Sequence, residues 1–226
     1  MKHLILTVCF CAFAASTMYS QSCDNYFPSE IGKTWEITNY NAKDKVESIN
    51  KSAVTDIQQK DGGLLVSIET TTFDSKNKEV NKQSFTTFCQ NGKFYIDMTS
   101  FLATENLGED FDLEIESSNM EIPTGVSEGQ KLPDAWVKMS VNMQGMGAYS
   151  QDVSFTNRMV EKFEKITTPA GTFDCVKMTW DSEMKMMFSV KSSVKTWYAV
   201  GVGEVRSEYY DQSGKLQSYS VLTSFR

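Results

Sequence analysis

Short stretches of apolar and β-branched residues alternate with turn residues along most of the chain. The stretches lie at 34–37, 64–73, 84–89, 94–98, 136–143, 153–155, 172–180, 186–199, 205–211 and 215–225. Short strands separated by turns are typical of an antiparallel all-β protein. Asp61-Gly62-Gly63 and Asn91-Gly92 are hairpin signals, because Asp, Asn and Gly tolerate the positive φ that tight hairpin turns need. We therefore expect an all-β fold built on a strongly curved antiparallel sheet, as a half-barrel or a barrel.

Three of the predicted hairpins share one local pattern. An aromatic residue ends a strand, an Asx residue follows at Asn41, Asp74 or Asp211, and a lysine comes four residues later. Asx side chains accept hydrogen bonds from the backbone of the turn that they start. The spacing between the three is irregular, so the pattern predicts a repeated type of hairpin and not a solenoid.

One short helix is the exception to the β pattern. Residues 100–107 read as helical, with Ser100 as the N-cap and Gly108 as the stop. The helix belongs to a segment, 99–133, that would join two β halves of one domain. Asp110, Asp112 and Glu114 alternate there as on one strand face, but the loop motif that wraps around calcium is missing. A solvated strand face is the favoured interpretation, and no metal site is predicted.

The beginning of the chain predicts a secretory signal peptide. A basic start is followed by an almost unbroken apolar run at 4–15, which is too short to span a bilayer. We expect residues 1–22 to be removed and 23–226 to form a single domain. Without Lys2 the mature chain has 21 basic and 29 acidic residues, a net charge of −8. That charge argues against binding to nucleic acid or to anionic lipid.

Few catalytic chemistries fit the mature chain. The only histidine of the sequence is His3, so a catalytic pair or a zinc site that needs histidine is excluded. No nucleophile, base or cofactor motif occurs, and no pair of carboxylates stands out. We expect a protein that is not an enzyme and that has no cofactor.

Three cysteines would remain after export: Cys23, Cys89 and Cys175. If 34–90 form four up-and-down strands, the residue before the first strand and the end of the fourth lie at the same end of the sheet. Our hypothesis is a Cys23–Cys89 disulfide, with Cys175 as a buried thiol inside a strand. Lipidation of Cys23 is the alternative, but Ser20 replaces the Leu-like residue of a lipoprotein signal, which favours plain secretion.

Methionine and aromatic residues cluster in the second half of the chain. Flexible methionines fill irregular cores, and they also line cavities that adapt to apolar ligands. Copper binding would need histidines or repeated tight methionine motifs, which are missing. The candidate ligand-pocket residues are Trp136, Met139, Met143, Met178, Trp180, Met186 and Phe188.

Several strings resemble a known family. They are Tyr-Phe-Pro at 26–28 with Gly-Lys-Thr-Trp at 32–35, the segment 168–175, and Trp-Tyr-Ala at 197–199 followed by 201–210. Together they resemble exported Bacteroidetes proteins known as TapB-like, a family of unknown function. The resemblance implies a barrel-like fold similar to that of periplasmic lipoprotein carriers, and it brings no catalytic residues with it.

The same strings have a structural interpretation of their own. Pro169-Ala170-Gly171 predicts a tight hairpin, and Gly201 and Gly203 permit a bulge or a close backbone approach before the last hairpin. Arg206 lies in sequence between Glu204 and Glu208, which predicts charge pairing between strands.

The leading hypothesis is an exported cell-envelope protein, periplasmic or associated with the outer membrane, or extracellular. It would bind an apolar molecule or an acyl chain in the concavity of the sheet. The alternative is an interaction or assembly factor whose barrel is fully packed and whose acidic surface meets a protein partner. A contiguous apolar cavity would favour the first hypothesis, and a filled interior with an exposed apolar rim the second.

Overall fold

Most of the described residues belong to one antiparallel sheet. The computed structural model describes residues 26–102, 112–143 and 147–226, without the side chains of 112, 142–143 and 147–148. Its strands are β1 Thr34–Asn41, β2 Val46–Lys60, β3 Gly63–Asp74, β4 Glu79–Gln90, β5 Lys93–Asp97, β6 Asp112–Ser117, β7 Asn119–Pro123, β8 Ala135–Met143, β9 Gly147–Thr168, β10 Gly171–Lys185, β11 Ser189–Ala199, β12 Gly203–Tyr210 and β13 Leu216–Phe225.

The sheet curls into a nearly closed barrel. Its strand order is β6-β8-β9-β10-β11-β12-β13-β1-β2-β3-β4-β5-β7. The two outermost strands, β6 and β7, are separated in the chain by Ser118 alone, so one stretch of backbone pairs with β8 in its first half and with β5 in its second. The all-β barrel expected from the sequence is confirmed.

The predicted hairpins are present. Asp61 and Gly62 both have positive φ between β2 and β3, as do Asn91 and Gly92 between β4 and β5. The Asx turns also form: Oδ1 of Asn41, of Asp74 and of Asp211 each accepts two backbone N–H groups of its own turn. Strand register places these three turns at one end of the barrel, which we call the Asx-turn end.

Two predictions about element bounds are wrong. In the part of the predicted helix that the structure describes, only a 3₁₀ turn forms, Met98–Phe101; its N-cap is Asp97, which accepts from the Thr99 backbone N–H, so Ser100 lies inside the turn. The rest of the predicted helix and its stop at Gly108 lie outside the described residues. The strand predicted at 186–199 begins only at Ser189, because residues 186–188 form the turn between β10 and β11.

Candidate functional site

The interior of the barrel has a packed part and an open part. On the side of β7 to β10 a continuous apolar cluster fills the space; we call it the packed half. It includes Met120, Ile122, Val137, Met139, Val153, Val176 and Met178. A second cluster, around Trp35, Ile68 and Leu222, lies on the side of β1 to β3 and β13. Phe27 contacts both clusters.

A cavity of about 270 Å³ opens between these clusters, and we call it the lumen cavity. Its residues come from one face of successive strands, because Trp35 pairs with Ser52, Ser52 with Thr70, and Thr70 with Gln83. All four line the cavity. The concave face of the sheet, which is the inside of the barrel, therefore forms the walls.

Aromatic rings form much of the cavity wall. Phe27 stacks on Phe94 with ring centroids 4.7 Å apart, and it meets Trp35 edge to face at 5.7 Å. Phe85 and Tyr198 complete the aromatic lining. Rings held by such contacts give a rigid apolar surface whose faces carry partial negative charge.

The cavity also holds polar groups in an otherwise apolar wall. Ser52 and Thr70 hydroxyls bond to each other at 2.8 Å. Thr87 is 4% exposed, and its hydroxyl has no hydrogen-bond partner among the described residues. A buried hydroxyl without a partner costs free energy, and this one belongs to a side chain in the wall of the cavity.

Glu204 brings a carboxylate to the same cavity. Its carboxylate accepts a hydrogen bond of 2.5 Å from the Ser220 hydroxyl and another from the Ser207 hydroxyl. Burial raises the pKa of this carboxyl, and the two hydroxyls oppose that shift only in part. Within the described part of the chain no lysine or arginine forms an ion pair with Glu204.

A bulge in β12 is what turns Glu204 inward. Trp197 pairs with Arg206, but the next residue, Tyr198, pairs with Glu204, so Val205 is an extra residue in the ladder. The charge pairing predicted between strands does not form: Arg206 instead binds Glu208 of its own strand at 2.8 Å on the outer face. Glu204 points the other way, because the bulge reverses the alternation of side chains.

Gly203 makes the start of β12 possible. Its φ is +96°, and a Cβ at this position would lie 3.5 Å from Pro28 Cδ. That distance is an ordinary van der Waals contact, so the positive φ favours glycine here and not a close backbone approach; the expected bulge is present, two residues further on. The segment before β1 packs against this glycine, which brings the Phe27 ring next to the Glu204 side of the cavity.

The structure brings together three of the seven candidate pocket residues. Met139, Met178 and Trp180 are buried in the packed half. Trp136 lies on the outer face of β8, with the Lys138 ammonium 5.4 Å from its ring centroid. None of these residues lines the lumen cavity.

The other three candidates lie at the Asx-turn end. Met186 and Phe188 are in the turn between β10 and β11, with Phe188 68% exposed. The backbone of Met143 ends β8, and its side chain lies outside the described residues. The ligand-pocket role of the seven residues stays a prediction.

The residues of the lumen cavity were missed because their signal is local alternation, not clustering in sequence. Trp35 with Ile37, Phe85 with Thr87, and Phe94 with Ile96 each alternate with outward-facing residues. The alternation marks an inward face, but only the register between strands shows that these faces meet.

The cysteines are only partly described. Cys175 is a buried free thiol, as expected, and burial raises its pKa to about 12. Cys23, the predicted signal peptide and Asp110 lie outside the described residues. The disulfide therefore stays a prediction. Within the described ranges, no helix has the length and apolar character needed to cross a membrane.

Comparisons with known proteins agree with the fold. The profile of the DUF3108-like family matches residues 30–222. A candidate lipoprotein from Parabacteroides distasonis is similar in structure, with a TM-score of 0.73 and 27% identity over 91% of this chain and 100% of that one. A candidate exported protein with a YmcC-like fold from Bacteroides fragilis has a TM-score of 0.71 and 25% identity, covering 88% and 98%. No curated protein matches the chain.

Proposed function

We propose that this chain, which belongs to the DUF3108-like family, is an exported binding protein without enzymatic activity that holds a small, largely apolar molecule in the lumen cavity. The relatives described as a lipoprotein and as an exported protein support a place in the cell envelope. The TapB-like resemblance noted in the sequence is a finer assignment and stays a prediction.

The observation that carries the proposal is an aromatic-walled cavity that contains an unpaired buried hydroxyl. Side chains in a protein interior normally fill such a space, and an unpaired Thr87 hydroxyl would be costly there. A ligand that covers the rings of Trp35, Phe85 and Phe94 would fill the space, and a rotation of the Thr87 side chain towards that ligand would give its hydroxyl a partner. At about 270 Å³, the cavity is slightly smaller than the roughly 300–1,000 Å³ of sites for drug-sized ligands. The ligand is accordingly a small molecule or a short acyl chain.

The first test is a native mass spectrum of the protein purified without detergent from its own cell envelope. Extra mass that leaves on denaturation is the expected result, and its value gives the mass of the ligand. The denatured mass also reports whether Cys23 carries acyl groups.

A cavity-filling variant assigns that ligand to the lumen cavity. Gln83→Trp places a large ring in the cavity from a position that is itself exposed, so we expect the extra mass to disappear while the fold remains. The matched control is Lys82→Trp, since Lys82 lies on the outer face of the same strand and makes only an exposed ion pair with Glu69. Retention of the ligand by Gln83→Trp would contradict the proposal.

A second function is favoured by one observation. In the turn between β10 and β11, Met187 is 93% exposed and lies next to Phe188, so the turn ends in an apolar tip. Exposed apolar side chains that lie together mark surfaces that bind a partner. Such a tip suits an interaction factor that meets an apolar partner surface. A bare polypeptide mass in the native spectrum would favour this function over ligand binding.

A further inference from the structure

We propose that the ligand of the lumen cavity carries a positively charged amino group, and that Glu204 and the aromatic wall recognise that group. This inference rests on the proposed function and adds the chemical class of the ligand. It starts from Glu204, which is the one acidic residue among the described residues that line the cavity.

The first step is the missing counter-charge. Glu204 accepts hydrogen bonds from two serine hydroxyls, which orient the carboxylate but supply no positive charge. Glu204 is half-buried, and partial removal from water disfavours the ionised form of a carboxyl that has no cation beside it, so a bound cation would hold the group ionised. None of the described lysines and arginines pairs with the Glu204 carboxylate. Arg206 lies only two residues away, but the bulge places its side chain on the outer face.

The second step is the wall around the carboxylate. Phe27, Trp35, Phe85, Phe94 and Tyr198 line the same cavity as Glu204. Tyr198 is also its register partner in the neighbouring strand. Aromatic faces attract an organic cation electrostatically, and they also cover its alkyl groups. Carboxylate and rings together therefore form a site that suits an ammonium group attached to an apolar body.

The third step is selectivity against other head groups. An anionic head would face the Glu204 carboxylate across a cavity of low dielectric, where like charges repel strongly. A neutral head could bond to Glu204 or Thr87 but would leave the carboxylate without a counter-charge. The expected order of affinity is amine, then alcohol, then carboxylate.

Three probes that share one alkyl chain and differ in their head group test that order: octylamine, 1-octanol and octanoate. Each is titrated by calorimetry into the mature protein freed of its native ligand. Wild-type protein is expected to bind octylamine about tenfold or more tightly than 1-octanol, the difference typical of a hydrogen bond to a charged group. Octanoate is expected to bind weakest.

Glu204→Gln keeps the shape of the side chain and removes its charge. We expect it to bring octylamine and 1-octanol to within about twofold of each other, because the charged bond that separates them is gone. The matched control is Glu208→Gln, whose carboxylate lies on the outer face of the same strand, bound to Arg206. This control should keep the wild-type preference.

The outcomes separate the inference from the proposed function. Equal binding of octylamine and 1-octanol by wild-type protein, or an unchanged preference in Glu204→Gln, overturns the amine inference and leaves a binding cavity. Binding of none of the three probes overturns both. The wild-type order alone decides the question if Glu204→Gln fails to fold.

Discussion

Single hydroxyl groups in the lumen cavity differ in whether they have a partner. Ser52 and Thr70 satisfy each other, whereas Thr87, in the strand that neighbours Thr70's, bonds to no described group. Sequence could not distinguish the two threonines, because both sit at inward positions of alternating strands. The two threonines differ in the residue that lies opposite them on the neighbouring strand, and that residue depends on the register between the strands.

Thr87→Val removes the unpaired hydroxyl and keeps the shape of the side chain. We expect the free energy of unfolding of the ligand-free protein to rise by roughly 1 kcal/mol, since an unsatisfied buried group is lost. Thr70→Val is the matched control; it leaves the Ser52 hydroxyl without its partner and should lower the free energy by roughly 1–2 kcal/mol. Urea denaturation of both variants measures the two changes. Equal losses would mean that the Thr87 hydroxyl is paired in the folded protein.

At the scale of single elements, the sequence predicted the hairpin turns best. Asn41, Asp74 and Asp211 form the turns that their spacing predicted, because an Asx side chain determines its turn through contacts within five residues. The lengths of β9 and β10 were underestimated, since bulges interrupt the alternation of apolar residues along them. The Val205 bulge had the largest effect on the site. Regular alternation predicts that Glu204 faces outward, as Arg206 does, but the bulge places the Glu204 side chain in the cavity.

Asp211→Asn tests whether the charge of the Asp211 carboxylate stabilises the turn between β12 and β13. Hydrogen bonds from the Ser213 hydroxyl and from the backbone of Lys215 and Ser213 lower the pKa of Asp211 in the folded protein. A lowered folded pKa means that the carboxylate stabilises the fold above its unfolded pKa of about 3.9, and that this contribution is lost as pH falls through the folded value. Asp211→Asn keeps the acceptor oxygen, as Asn41 does, but loses the charge.

The expected result is a lower urea midpoint for Asp211→Asn than for wild type at pH 7, with the difference shrinking towards pH 2. Glu47→Gln serves as the control, because Glu47 is exposed on β2 outside any turn. A midpoint difference that stays constant across this pH range would show that the charge has no part in holding the turn.

At the scale of the whole molecule, one long-range prediction concerns how the start of the domain is attached to the barrel. Antiparallel pairing of β1 to β4 places the beginning of β1 and the end of β4 at the same end, as expected. Closure of the barrel through β6 and β7 could not be read from the sequence, because β6 pairs with β8 and β7 with β5, and neither of these pairs joins strands that are neighbours in the chain. The position of the segment before β1 also depends on contacts with a strand that is not its neighbour in the chain. Phe27 stacks on Phe94, and Phe94 is the register partner of Cys89.

That arrangement places Phe27, four residues after Cys23 in the chain, against the register partner of Cys89, so we expect these two cysteines to form a disulfide and Cys175 to stay a thiol. Alkylation of the unfolded, unreduced protein should modify Cys175 alone, and reduction should expose the other two. Cys89→Ser is expected to lower the free energy of unfolding by roughly 4 kcal/mol on a loop-entropy estimate. The control, Cys175→Ala, should keep the bond and lose only the packing of a buried sulfur. A peptide that joins Cys89 to Cys175 would contradict the arrangement, since the Cys175 thiol is free in the folded barrel.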